Sequence, residues 1–475
     1  MHDVIIVGAG PGGSALAIEL AQAGHQVLVL EAAEFPRDKV CGDFVSPVAM
    51  ARLRSLGCGA ALDDIVSTPI RSSRVYLDRE MLVEGQIPSI RGQPDPGRAI
   101  PRLELDEMLA VRAIACGADL REGHRVEAVS MEKNCVSVAA CYQGVRSTFH
   151  ARMVVGADGA NSVVARDLAP KRQSTGHAML SMRAYVEGLT LDRTIMYFSR
   201  EFFPGYAWVF PVRPGLCNVG VGMMKVPMDR YGVRLPAFFE LLQRLVAALA
   251  TSLGQKIQWR PRRGWPIPGY RLPTDRSIDR ALLIGDAGSF VDPINGEGIP
   301  MALRTAHHAG ESIKASFVSG RFDAESLASF DVAWKSDIRD DLSISSLVTS
   351  LIRNRQLLDI WVQLLRVTAE IAKSDPVYAA TAGGILAGVV PATKGVSLDM
   401  LSRTATHLPE AVKGVLRTSA PVDLRSYATT LAQGMLADRK WQLDWLRDAV
   451  KQGAEVAPMV RARLAAERAR MESHY

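Results

Sequence analysis

One short segment constrains this chain more than any other. Residues 3–7, DVIIV, form a continuous apolar run of the kind that suits a parallel strand buried on both faces. It leads directly into GAGPGG, residues 8–13, and then into SALAIELAQAG, a helical pattern closed by Gly24. A second apolar stretch, HQVLVLEAA, ends its strand at Glu31. The order predicts a β-α-β unit. Gly8, Gly10 and Gly13 stand as G-x-G-x-x-G. The first permits a tight turn, the second lets backbone approach a pyrophosphate, and the third lets helix and strand pack closely. The helix N-terminus adds free N–H groups and a positive dipole end. Glu31 lies 18 residues beyond Gly13, where a carboxylate accepts hydrogen bonds from ribose hydroxyls and disfavours a 2′-phosphate. The glycines alone are a weak signal. With strand, helix and acid in register, they predict a dinucleotide site; a glycine-rich turn that binds nothing would have to account for all four.

The rest of the chain narrows the class. Its 475 residues leave room for two or three domains, and 48% hydrophobic with 22% charged residues is a globular balance. The 56 basic and 50 acidic residues give +6. They are dispersed, without the basic run expected of a nucleic-acid partner. Six cysteines, no Cys-x-x-Cys and no His-x-x-x-His argue against a disulfide framework and against a metal site. MHDVIIVGAG has no basic region or cleavage site of a signal peptide. The longest apolar window, 376–392, is broken by Gly383, Gly384, Gly388 and Pro391, and falls short of the ~20 residues needed to span a bilayer. The expected location is cytoplasmic, with peripheral membrane contact left open.

Further along, 34–48 reads as a loop, 103–117 as a helix, and 125–155 as short strands. Residues 176–264 are strand-rich, with one helix near 235–252. A strand at 281–284 and a helix from about Ile299 follow, and beyond 340 the pattern is helical. Trp441, Trp445 and Leu446 fall on one apolar stripe, better suited to packing than to a membrane, and 458–475 reads as a solvated helix or frayed tail.

Two later motifs decide which dinucleotide. They are VVGADGANSVVAR, 154–166, and ALLIGDAGSFVDPINGEGIPMAL, 281–303. With them the chain resembles the FAD-dependent hydroxylase and geranylgeranyl reductase superfamily. The resemblance implies FAD contact by Asp158 and Gly159. It implies that Gly285 and Asp286 hold the ribityl chain, and that Pro293, Gly296, Glu297 and Gly298 shape a turn beside the flavin. Gly298 also opens a helix whose N-terminus can stabilise negative charge on a reduced flavin. PRDKVCGDF, 36–44, PRLELDEML, 101–109, and GYAWVFP with NVGVG, 205–222, are similar to the geranylgeranyl reductase group. This similarity implies that Cys41 and Arg102 lie near the flavin. Matches run from residue 1 to about 345. Phe44 departs from the small glycine common in the group.

The implied fold is α/β: a discontinuous Rossmann-type FAD-binding domain over 1–175 and 265–345, an inserted strand-rich substrate domain over 176–264, and a helical C-terminal region over 346–475. Tyr206, Trp208 and Phe210 alternate on one strand face, as an aromatic wall for an apolar substrate or as ordinary core. Cys41 is a flavin-proximal candidate or a small buried hydrophobe; the other cysteines read as packing. Arg102 reads as a flavin contact or a helix-start charge, Asp106 as structural, and His307 and His308 as packing or exposed. The catalytic acid–base residues are unassigned.

The expected activity is that of an FAD-dependent oxidoreductase acting on a hydrophobic small molecule, foremost by reducing a prenyl-like C=C. Only one dinucleotide fold is present, so NAD(P)H as the expected reductant binds transiently near the flavin, or another electron donor replaces it. A monooxygenase using NAD(P)H and O₂ is the alternative, and an FAD-scaffolded cyclase a further one. A halogenase is disfavoured: no lysine lies between Lys39 and Lys133, and YAWVFP replaces the Trp-x-Trp-x-Ile-Pro of related halogenases.

Overall fold

The N-terminal apolar run becomes the strand His2–Val7, in the interior of an eight-stranded sheet. The computed structural model describes residues 1–87, 95–169, 178–270, 275–418 and 438–472. Val145–Gly156 flanks the first strand on one side and Val27–Leu30 on the other, both parallel. Ala281–Leu283 and Asp119–Arg121 extend the sheet, again in parallel. Both faces are covered, and Val4, Ile5 and Ile6 are fully buried, which is why this strand reads as an unbroken apolar run. Helices Pro11–Gln22, Arg102–Ala115 and Ile299–Ser319 share one core beside it through Leu16, Leu105, Leu109, Leu303 and Ile313.

A second eight-stranded sheet has the path Gln258–Trp259, Ala178–Glu187, Leu216–Met224, Tyr206–Arg213, Thr194–Phe198, Ser72–Leu77, Glu80–Gln86. Arg263–Pro268 pairs beside Ala178–Arg183. The helix Leu235–Ser252 closes its outer face, burying Phe238, Phe239 and Leu242 against Val209, Val219 and Val221. The partition expected from sequence differs here. The hairpin Ser72–Gln86, assigned to the dinucleotide-binding part, pairs in parallel with Thr194–Phe198 and extends the second sheet. A short hairpin that joins a sheet through a strand far along the chain carries no local signal of its destination.

The C-terminal region is helical: Ala324–Ile352, Leu358–Ser374, Pro376–Leu386, Leu398–Thr418 and Arg439–Glu472. The expected apolar stripe is corrected in part. Trp445 is buried and its Nε1 donates to the Ser350 carbonyl at 2.8 Å, but Leu446 is 49% exposed. The buried face instead combines Gln442, Trp445, Ala449, Gln452 and Val456. Gln452 donates to Ser350 Oγ at 2.7 Å, and Asn354 donates to Gln442 at 2.8 Å. Buried amides with satisfied partners are invisible to a hydrophobic pattern. The parts of the sequence reading at 88–94, 170–177, 271–274, 419–437 and 473–475 lie outside the described residues. Among the described residues no helix is long and apolar enough to cross a membrane.

Candidate active site

A cavity of about 960 Å³ is lined by both sheets, by the turn 291–299, and by the helices Leu358–Ser374 and Pro376–Leu386. Its polar end is the glycine loop. Gly8 has φ +97°, and a Cβ there would come within 2.6 Å of the Ala157 carbonyl. A Cβ on Gly13 would overlap the Gly8 carbonyl. At Gly10 the nearest atoms to such a Cβ are guanidinium tips of Arg37 and Arg102, at 3.9 Å. The loop is therefore tightly supported from behind and open toward the cavity, the shape a pyrophosphate requires.

Glu31 accepts the Ala9 N–H at 2.8 Å and the Ala33 N–H at 3.1 Å, so it fixes the loop from the end of its strand. Arg37 bridges Glu31 at 3.3 Å and Asp106 at 2.7 Å. Arg102 is buried and binds Asp106 through two contacts of 2.6 Å. It is thus no surface charge, and Asp106 anchors two arginines at the cavity wall. Asp158 is committed to local structure: its carboxylate accepts from Ser162 Oγ at 2.5 Å and from the Val163 N–H at 2.6 Å. It lines the cavity beside Gly159, whose φ is +77°.

The second half of the polar end comes from the turn after Ala281–Leu283. Asp286 pairs with Lys39 at 3.0 Å. A Cβ on Gly298 would lie 3.3 Å from Asp286 Oδ1, so both ends of the turn converge there. Gly285 and Gly296 have φ of +52° and +71°. Pro293 lines the cavity, and Gly298 caps the helix Ile299–Ser319.

Between this end and the apolar end stands the aromatic wall. Tyr206, Trp208 and Phe210 all line the cavity, with consecutive ring centroids 6.1 and 6.2 Å apart. Tyr206 donates to the Asn295 carbonyl at 2.6 Å, tying the second sheet to the turn. Trp208 donates to Asn218 at 2.9 Å, and its ring covers Gly220, where no Cβ would fit. Cys41 is half-buried at the wall, and burial pushes its thiol up. Phe44 packs toward Phe210, with centroids 5.8 Å apart, so the departure from glycine adds an aromatic to this side. Beyond the wall the surface turns apolar: Val75, Leu82, Phe198, Leu365, Ala369 and Leu386.

The sequence reading missed the polar frame behind the Cys41 loop. Asp43, at φ +62°, accepts from Tyr185 at 2.5 Å and from Asn218 at 2.8 Å. Burial lifts its carboxyl to about 6, against the pull of Arg183. Asn218 also donates to the Cys41 carbonyl at 2.9 Å, and Arg183 binds Asp38 at 2.5 Å. The charges of PRDKVCGDF were the available signal for the loop side; Tyr185 and Asn218 read as ordinary strand residues. His307 and His308 are half-buried, facing Glu19 and Asp337.

Residues 1–332 match the FAD binding domain family, and the chain belongs to it. It is an FAD-dependent oxidoreductase. A menaquinone reductase of Mycolicibacterium smegmatis is 32% identical over 328 residues, 67% of this chain and 77% of that protein. Digeranylgeranylglycerophospholipid reductase 1 of Methanopyrus kandleri is 29% identical, over 75% of this chain and 92% of its own length. A geranylgeranyl bacteriochlorophyll reductase-like protein from Thermoplasma acidophilum shares the fold, with a TM-score of 0.69 at 20% identity, over 87% of this chain and 98% of that one.

Proposed function

We propose that this enzyme reduces a carbon–carbon double bond in a long, apolar, prenyl-like small molecule in the cytoplasm, with NAD(P)H as transient reductant. The carrying observation is the polarity gradient of the cavity, from a charged glycine-loop end through an aromatic wall to an apolar end. Both relatives are named reductases, and the name of the digeranylgeranylglycerophospholipid reductase supports a prenyl lipid as the kind of substrate.

Gly8, Gly10 and Gly13 would hold the pyrophosphate, Glu31 the ribose hydroxyls, and Gly285 and Asp286 the ribityl chain. Arg102, Cys41, Asp158, Gly159, Pro293, Gly296 and Gly298 would surround the remainder. Bound FAD supplies hydride transfer. Tyr206, Trp208 and Phe210 orient the apolar chain by ring contact, and the small residues of Pro376–Leu386 leave room for its length. Lys39 neutralises Asp286 and keeps that corner tolerant of an anionic ligand.

The test is an anaerobic spectrum. NADH or NADPH bleaches the yellow protein, and a geranylgeranyl ether lipid then restores the colour while gaining two hydrogens per double bond. Colour restored by air alone, with an oxygenated product, would instead establish a monooxygenase. No bleaching by either nucleotide would remove NAD(P)H as donor.

A further inference from the structure

Reducing a C=C needs a proton as well as a hydride, and the cavity contains one carboxyl placed differently from the rest. Of the carboxyls lining it, Glu31 and Asp158 accept backbone N–H groups, Asp38 binds Arg183, and Asp286 binds Lys39. Glu297 also lines the cavity, yet its buried Oε1 has no hydrogen bond of good geometry among the described residues, with only the Ser46 hydroxyl beside it. Its other oxygen is seated against Gly388, where no Cβ would fit. Asn295 donates to the Ile385 carbonyl at 3.3 Å beside it, so the turn and the C-terminal helices hold this carboxyl from two sides. An unpaired buried carboxylate is costly, whereas an unpaired carboxylic acid is tolerated and keeps a proton to give.

We propose that Glu297 is the proton donor of the reduction, an assignment that rests on the alkene-reductase reading. One alkene carbon accepts hydride, with its two electrons, from the reduced cofactor. Its neighbour takes the Glu297 proton. The π bond and the carboxyl O–H break, two C–H bonds form, the cofactor is left oxidised, and solvent reprotonates the carboxylate. The surroundings favour the acid form. Burial lifts Glu297 to about 8, Asp292 adds to the rise, and Ser46 and Arg304 oppose it. Gly388, on the C-terminal side, brings no charge. Through Gly388 and Ile385, the C-terminal region would position the acid as well as cover the substrate.

The experiment pairs two readouts on the wild-type protein and Glu297→Gln, with Glu297→Asp as a second variant. Infrared spectroscopy should show a carboxylic-acid C=O band at neutral pH that fades near pH 8 and is missing from Glu297→Gln. After anaerobic reduction, reoxidation by a geranylgeranyl ether lipid should slow about a hundredfold in Glu297→Gln, with FAD binding and reduction by NAD(P)H unchanged. In the wild type this rate should fall above about pH 8; in the Gln variant that limb should be absent, and Glu297→Asp should restore part of the rate. A Gln variant as fast as wild type, or no titrating carboxyl band, overturns the proposal. Should the Gln variant fail to hold FAD, a wild-type rate independent of pH through this range does the same. Wild-type protein that never transfers hydrogen to the lipid removes the alkene-reductase reading itself, and the donor role with it.

Discussion

The two ends of the cavity are built on opposite principles. At the polar end, hydrogen bonds and glycines that tolerate no Cβ lock the neighbours in sequence Gly8, Gly13, Glu31 and Arg37 into one rigid frame, to which Asp106 joins the distant Arg102. At the apolar end, Val75 and Leu82 of a hairpin, Phe198 of the second sheet, and Leu365 and Leu386 of the C-terminal helices present an apolar lining, and the ion pair Arg366–Glu80 ties helix to hairpin outside it. A phosphate-bearing cofactor demands fixed donors at fixed positions. An alkyl chain demands only volume and apolar surface. The first requirement leaves a motif in the sequence; the second leaves almost none.

The comparison predicts effects of decreasing size. The largest falls on the loop. Gly13→Val forces a side chain into the Gly8 carbonyl, so FAD affinity should drop by ten-thousandfold or more, at least about 5.5 kcal/mol, and the protein should purify colourless. Retained colour would show that the loop is less rigid than its contacts indicate. Next is Trp208→Ala, which empties the space above Gly220 and leaves the Asn218 Oδ1 without its donor. Its cost should be about 3–5 kcal/mol in denaturant unfolding.

A pH effect of similar origin separates the polar frame from the apolar end. The Asp43 carboxyl stands at about 6 in the folded protein against 3.8 ordinarily, because it is buried. The folded state therefore binds this proton more tightly than the unfolded chain does. Its contribution to stability falls as pH rises through that interval and is flat above it, by roughly 2–3 kcal/mol in all. Asp43→Asn should reduce the slope of thermal melts across the interval by that share, leaving the part due to Asp292 and Glu297, which burial also raises. An unchanged slope would place the charged form in the native protein.

At the apolar end the effects should be selective rather than large. Gly383 lines the cavity with nothing within 4 Å of where a side chain would begin. Gly383→Leu should lower kcat/KM for a geranylgeranyl lipid about tenfold, about 1.4 kcal/mol. A shorter prenyl alcohol and the reduction by NAD(P)H should be unaffected. The smallest effect belongs to Leu446, 49% exposed on the last helix. Leu446→Ser should change stability by no more than about 0.5 kcal/mol, whereas Trp445→Phe, losing the bond to Ser350, should cost about 1 kcal/mol.

What the sequence determined by itself is local in origin. A buried parallel strand, a glycine turn, a helix and a terminal acid are consecutive, and backbone geometry dictates their residue types. The same holds for Gly285 and Asp286 after their strand, and for the alternation of Tyr206, Trp208 and Phe210. Only the tertiary structure decided the rest. It carried the hairpin Ser72–Gln86 to the second sheet, turned Leu446 outward while burying Gln442 and Gln452, and closed Asp43 between Tyr185 and Asn218. It also set Glu297 against Gly388, across most of a hundred residues of intervening chain. Such pairings join segments with no common period and no fixed spacing, and burial by a distant neighbour changes what a carboxyl can do without changing the residue that carries it.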